Sequence, residues 1–132
     1  MSKPVILCVD DEPIVLESLR AQLREAFGDA YYYEVAQDAD DALEVLDEIQ
    51  AENTDVIVIV SDWLMPGMKG DEFLIKVHQR FPKVVKVLLT GQADETAIAR
   101  VKVEANLHKC LFKPWSEADL IEAIQSGLAS HG

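Results

Sequence analysis

Asp55-Val56-Ile57-Val58-Ile59-Val60-Ser61-Asp62 is an unbroken apolar run closed by a carboxylate. Its five consecutive β-branched residues, Val56 to Val60, describe a strand buried on both faces of a parallel sheet, where helices cover both sides and no polar alternation is needed. Asp62 then falls at the strand's carboxyl end. Ligands of open α/β sheets bind at that edge, so this acid is a candidate for chemistry rather than for solubility.

Outward from this strand the chain reads as alternating strands and helices. On the amino-terminal side, residues 4–9 (Pro-Val-Ile-Leu-Cys-Val) form a second buried strand that ends in Asp10-Asp11-Glu12. Pro13 suits the first position of a helix whose stripe is Leu16, Leu19, Leu23 and Phe27 and which Gly28 closes. Tyr31 to Ala36 is a Tyr-rich strand suited to a sheet edge, and Asp38 caps a helix with Ala42, Leu46 and Ile49 inward. The acidic outer face of that helix reads as solvated surface.

On the carboxyl-terminal side, Pro66, Gly67 and Gly70 break a loop, and Asp71 to Phe81 gives a third helix that Pro82 stops. Val84 to Thr90 is a strand, apolar except for Lys86. Asp94 or Thr96 caps a fourth helix with a thin stripe of Ile98, Val101 and Ala105. Leu107 to Lys113 is the last strand, with polar residues that suit the other edge. Ser116-Glu117-Ala118-Asp119 opens a fifth helix with a capping-box pattern, and Leu120, Ile121, Ile124 and Leu128 line its inner side. One domain is expected over residues 1–128, with 129–132 a tail or the start of a linker.

Charge is uneven, with 24 acids against 12 bases and a net charge of −12. Residues 1–66 hold 16 acids and 3 bases, whereas residues 67–132 hold 8 and 9. Such a chain argues against direct nucleic-acid binding and against a membrane surface, and its second half is the less repulsive face for a protein partner. Cys8 and Cys110 read as reduced core thiols, and no run is apolar enough for a signal peptide or a membrane span, so a cytoplasmic protein is expected. His78, His108 and His131 are dispersed and read as ordinary histidines. Lys76, Arg80, Lys83 and Lys86 read as solvated bases near the third helix's end.

Five β-α units with right-handed crossovers make an α/β fold: a five-stranded parallel sheet with helices on both faces. In strand order 2-1-3-4-5 the first, third, fourth and fifth strands are neighbours. Their carboxyl ends would bring Asp10, Asp11 and Glu12, then Asp62, Thr90 and Lys113, to one crevice. Clustered carboxylates repel, and a cation relieves them; oxygen-only ligands favour Mg²⁺ or Mn²⁺ over Zn²⁺. A hard cation beside a lysine, a hydroxyl and a carboxylate suits phosphoryl transfer, with Asp62 as nucleophile, Lys113 neutralising phosphoryl oxygens and Thr90 donating to one of them.

Asp10-Asp11, Asp62 followed by Met65-Pro66-Gly67-x-x-Gly70, Thr90 and Lys113-Pro114 together closely resemble the receiver domain of two-component response regulators, over roughly residues 3–128. The strand order above is borrowed from that family as well as inferred. The resemblance implies that Asp11, Asp62 and the backbone carbonyl of Trp63 ligate Mg²⁺, with Asp10 acting mainly through a metal-bound water. It implies that Asp62 accepts a phosphoryl group from a sensor histidine kinase or a histidine phosphotransfer protein, that Thr90 moves toward the phosphate, and that Lys113 pairs with it. The Lys113-Pro114 bond is expected to be cis. Such a chain is a signalling switch rather than an enzyme. Its fourth helix, fifth strand and fifth helix form the surface for an output domain, a partner protein or a homodimer. The switch positions would be Thr90 and Cys110.

Cys110 departs from the family, which usually carries Tyr or Phe there, so an aromatic rotamer change cannot operate at that position in the usual way. Phe112 lies on the same side of the strand and nearer the site. Three rivals fit less well, one of them an unphosphorylated receiver-like adaptor, which the complete set of acids, Thr90 and Lys113 argues against. A haloacid-dehalogenase-like phosphatase wants a second Asp two residues after the nucleophile, where this chain has Leu64. An FMN carrier of the flavodoxin type wants a hydroxyl-rich phosphate loop, and Asp10-Asp11-Glu12 would repel phosphate.

Overall fold

The computed structural model describes residues 3–92 and 94–131. Five strands, β1 (Val5–Val9), β2 (Tyr32–Ala36), β3 (Val56–Asp62), β4 (Val85–Thr90) and β5 (Lys109–Phe112), form one parallel sheet in the order β2-β1-β3-β4-β5. Five helices alternate with them: α1 (Pro13–Phe27), α2 (Ala39–Ala51), α3 (Gly70–Arg80), α4 (Glu95–Glu104) and α5 (Glu117–His131). A short 3₁₀ turn, Gly28–Ala30, leads into β2.

The apolar runs are continuous because the sheet is covered twice. Leu7, Val9, Ile59 and Leu88 face α2, α3 and α4, where Leu46, Phe73, Leu74 and Val101 are buried. Ile6, Cys8, Val58, Val60, Val87 and Leu89 face α1 and α5, against Leu19, Leu23, Leu120 and Ile124. Burying such side chains contributes about 1.5–3 kcal/mol each, and alternate residues of one strand serve opposite layers. β1 shifts register against β3 between Val5 and Ile6, with Val5 opposite Val56 and Ile6 opposite Val58.

Helix starts follow the predicted caps. The Asp38 carboxylate accepts from the amide of Asp41 at 2.8 Å, and Asp94, not Thr96, caps α4 by accepting from Thr96 N–H at 2.9 Å. Ser116 Oγ accepts from the amide of Asp119 at 3.0 Å, which is one half of the predicted capping box.

Several local expectations are corrected. β2 starts at Tyr32, and β5 spans only Lys109–Phe112, the Leu107 amide donating to Val101 O of α4 instead of to a strand. Phe81 lies just past α3 as its C-cap, with the Arg80 guanidinium 5.1 Å above its ring. Ala129 to His131 prolong α5 where a tail or the start of a linker was expected; Gly132 and the side chain of His131 lie outside the described residues. Lys86 is the clearest correction. It is completely buried within β4 rather than solvated, and its ammonium donates to the Val84 carbonyl at 2.9 Å. Residues 84–90 alternate between two covered faces, so an interior position of this strand has no route to water.

Candidate functional site: an acidic crevice at the carboxyl edge of the sheet

β1, β3, β4 and β5 lie side by side, so whatever follows each strand arrives at one edge. Backbone bonds extend the ladder past the strands and fix those arrivals. Asp10 N–H donates to Ala36 O at 3.1 Å, Trp63 N–H to Leu89 O at 2.9 Å, and Lys113 N–H to Thr90 O at 2.8 Å. The result is a cleft of about 590 Å³ lined by Asp11, Asp62, Thr90, Gln92 and Lys113, among others.

The side chains expected from the strand ends meet there. Carboxylate oxygens of Asp10, Asp11 and Asp62 lie within 4.8 Å of one another, with Asp10 and Asp62 buried and Asp11 exposed. The Lys113 ammonium donates to Asp10 Oδ2 at 2.9 Å and pairs with Asp62 Oδ1 at 3.3 Å. Asp10 is held further by the amide of Glu12, which donates to Oδ1 at 2.9 Å. Glu12 itself stands at the N-cap of α1 with its side chain exposed, as a helix-start acid would. The Thr90 hydroxyl is buried and accepts from Gln92 N–H at 3.1 Å, which leaves its proton free to be directed elsewhere.

Burial raises the Asp62 carboxyl to about 6; the neighbouring charges of Asp10 and Asp11 add to the rise, and Lys113 opposes it. For Lys113, burial alone would lower the ammonium. The hydrogen bond and charge of Asp10, with those of Asp62, outweigh it and leave the group above its ordinary value. Three carboxylates facing one ammonium make a site with surplus negative charge. An all-oxygen donor set exposed to solvent on one side fits a small divalent cation.

Trp63 is more constrained than the sequence suggested. Its carbonyl accepts from the Gly70 amide at 2.7 Å, with a second lone pair remaining, and its indole Nε1 donates to Asp71 Oδ1 at 3.2 Å. A Cβ on Gly70 would run into the Asp62 carbonyl oxygen and Trp63 Cα, which is the reason for glycine at the start of α3. Asp71 is the residue that sequence reasoning missed. It entered only as the first residue of the third helix, yet it is buried. The Lys113–Pro114 bond is cis, as expected. Cys110 pairs with Leu88 and is half-buried against the layer that holds Val101 and Ala105, while Phe112 pairs with Thr90 and is 59% exposed. Both cysteines are free. His78 and His108 lie apart from the site; the His108 ring pairs with Ser126 Oγ at 2.8 Å.

Residues 6–125 match the family described as the response regulator receiver domain. The chain belongs to that family. Among solved structures, this receiver is similar to the signal receiver domain of an HD domain-containing protein from Pseudomonas fluorescens Pf-5, with a TM-score of 0.85 and 30% identity over 98% of this chain and 97% of that one. It is also similar to a CheY-like receiver domain from Methanospirillum hungatei JF-1, with a TM-score of 0.83, 28% identity and the same coverage. The hydrogenase transcriptional regulatory protein HoxA of Cupriavidus necator is 32% identical over 127 residues, which make up 96% of this chain and 24% of that protein. The receiver thus spans about a quarter of the length of the curated relatives it first matches. Receiver domains are signalling switches rather than classical enzymes. None of the described helices is long and apolar enough to cross a membrane.

Proposed function

We propose that this chain is a phosphorylation-controlled receiver in which Asp62 accepts a phosphoryl group from a sensor histidine kinase or a histidine phosphotransfer protein. The observation that carries the reading is Lys113 bridging Asp10 and Asp62 beside the Thr90 hydroxyl in one open cleft. At about 6, the Asp62 carboxyl is mainly ionised at pH 7 and able to act as a nucleophile. An Asp62 oxygen attacks phosphorus, the P–N bond to the donor imidazole breaks, and its electron pair stays on the histidine nitrogen. Lys113 leaves its bridge to neutralise the new phosphoryl oxygens, and Thr90 donates to one of them.

Asp11, Asp62 and the Trp63 carbonyl would hold Mg²⁺, or Mn²⁺ in its place, with Asp10 acting through a bound water. When bound, the ion offsets the charge that three carboxylates and an incoming phosphoryl group would otherwise concentrate. Turning such a switch from 1:99 to 99:1 requires about 5.5 kcal/mol of differential interaction, and a few charge-assisted bonds to the phosphoryl group supply that order. Thr90 and Cys110 are the switch positions, and α4, β5 and α5 form the face for an output domain, a partner protein or a second copy of the chain. We place the receiver, whose last helix runs to His131, in a cytoplasmic protein, with any output activity outside the chain.

Intact mass after incubation with Mg²⁺ and a small-molecule phosphodonor tests this directly. One acid-stable, base-labile phosphoryl adduct is expected, absent from Asp62→Asn and abolished by EDTA. No adduct with several phosphodonors and histidine kinases would overturn the reading, and steady phosphate release from a monoester would replace it with a phosphatase.

A further inference from the structure

Asp71 takes no part in the carboxylate cluster around Asp62, yet it is 8% exposed. A buried carboxylate is costly unless it is paired, and three features compensate it. It lies in the first turn of α3, where the helix dipole favours an anion. Its Oδ1 accepts from the Trp63 indole at 3.2 Å, and its Oδ2 faces Arg100 Nη1 on α4 at 3.6 Å. Arg100 Nε in turn donates to Glu104 at 2.8 Å, one helical turn further along α4.

Trp63 directly follows Asp62, and both ends of its peptide unit are tied. Its amide is bound to β4 and its carbonyl to the start of α3. Any displacement of the Asp62 loop therefore reaches the indole, and through the indole the buried carboxylate. Arg100 is half-exposed, so its pairing by itself contributes only about 0–1 kcal/mol. Its leverage comes from Asp71, which cannot lose its partners without leaving a charge away from water. The recipient is easily moved: within α4 the buried residues are Ala97 and Val101 alone, whereas Val103 is 85% exposed. Cys110, beneath α4, has no ring with which to make this connection.

We propose that Asp71 is a positioning residue that couples the Asp62–Trp63 loop to α4 through a Trp63–Asp71–Arg100 relay. The relay rests on Asp62 being the phosphoacceptor and specifies how its state reaches the partner face.

The test compares amide hydrogen exchange across residues 95–104 with and without Mg²⁺ and the phosphoryl mimic beryllofluoride. It uses the wild-type chain, Arg100→Gln, Arg100→Lys, Asp71→Asn and the Asp71→Asn/Arg100→Gln pair. Phosphoryl adduct at Asp62 is measured by intact mass for each. We expect equal adduct in all, an α4 response reduced about twofold or more in Arg100→Gln and Asp71→Asn, recovery in Arg100→Lys, and no further loss in the double variant. Arg100 lies on an exposed face, so its variants report even where Asp71→Asn is unstable. Adduct with an undiminished α4 response in Arg100→Gln, equal losses for Gln and Lys, or a wild-type α4 that does not respond would overturn the relay alone. No adduct on the wild-type chain would overturn the functional reading and the relay with it.

Discussion

At Asp62, burial and two neighbouring carboxylates act against one ammonium, and the balance leaves the carboxyl at about 6 instead of 3.8. Between those values the folded chain holds a proton that the unfolded chain has released. The contribution of Asp62 to stability is therefore greatest below about pH 4, falls as pH rises to about 6 and stays lost above it. Asp62→Asn is expected to be more stable than the wild type at pH 7 without divalent cations. The gap should close below pH 4 in urea titrations, and a gap that widens there would contradict this assignment. Lys86 is the converse case. Burial lowers its ammonium from 10.5 to about 8, so between those values the unfolded chain binds the proton and the folded chain does not. Stability contributed by Lys86 therefore rises with pH across that window. Lys86→Met should be more stable than the wild type by about 1–3 kcal/mol at pH 7, because each tenfold loss of proton affinity costs roughly 1.4 kcal/mol and the lost bond to Val84 offsets part of the gain. The advantage should vanish above pH 10.5. Equal pH dependence in the two chains would show that the buried ammonium is not what differs.

Among the elements, the start of α3 has the tightest tolerance. Gly67 has φ +77°, which lets the loop turn, and Gly70 brings the first turn of α3 against the backbone of Asp62 and Trp63. The atoms that a Cβ would meet at Gly70 are backbone, so they cannot rotate away. Gly70→Ala is expected to lower stability by about 1–3 kcal/mol, as a lower denaturant midpoint with an unchanged slope. It should also weaken whatever the Asp62 edge binds, because the Trp63 carbonyl loses its bond from the Gly70 amide. A midpoint within error of the wild type would mean that α3 can shift without cost.

Over the whole molecule, the excess of acids sits mainly in residues 1–66, and the buried part of it converges on one cleft. Any cation screens a chain of net charge −12, so a site-bound ion has to be separated from general screening. Mg²⁺ at 100 times its dissociation constant is expected to add about 2.7 kcal/mol and raise Tm by several degrees, reversed by EDTA. NaCl of the same ionic strength should not reproduce the shift, and Asp11→Asn should lose most of it. Equal effects of the two salts would assign the stabilisation to screening alone.

The alternation of strands and helices was legible because it follows from local pattern, and the strand order rested on the family resemblance as well. Val56 to Val60, residues 4–9 and Val84 to Thr90 can be buried on both faces only in a covered parallel sheet, and the strand ends then bring Asp10, Asp11, Asp62, Thr90 and Lys113 to one edge. What stayed hidden depends on contacts between residues distant in the chain or on the depth of a position. Lys86 looked solvated because a charge in a short strand carries no mark of what covers it. Asp71 passed as the first residue of a helix because nothing in its neighbourhood of sequence announces Arg100 on the next helix. Periodicity specifies which face a residue occupies, but only the assembled layers decide whether that face meets water, an opposite charge or neither.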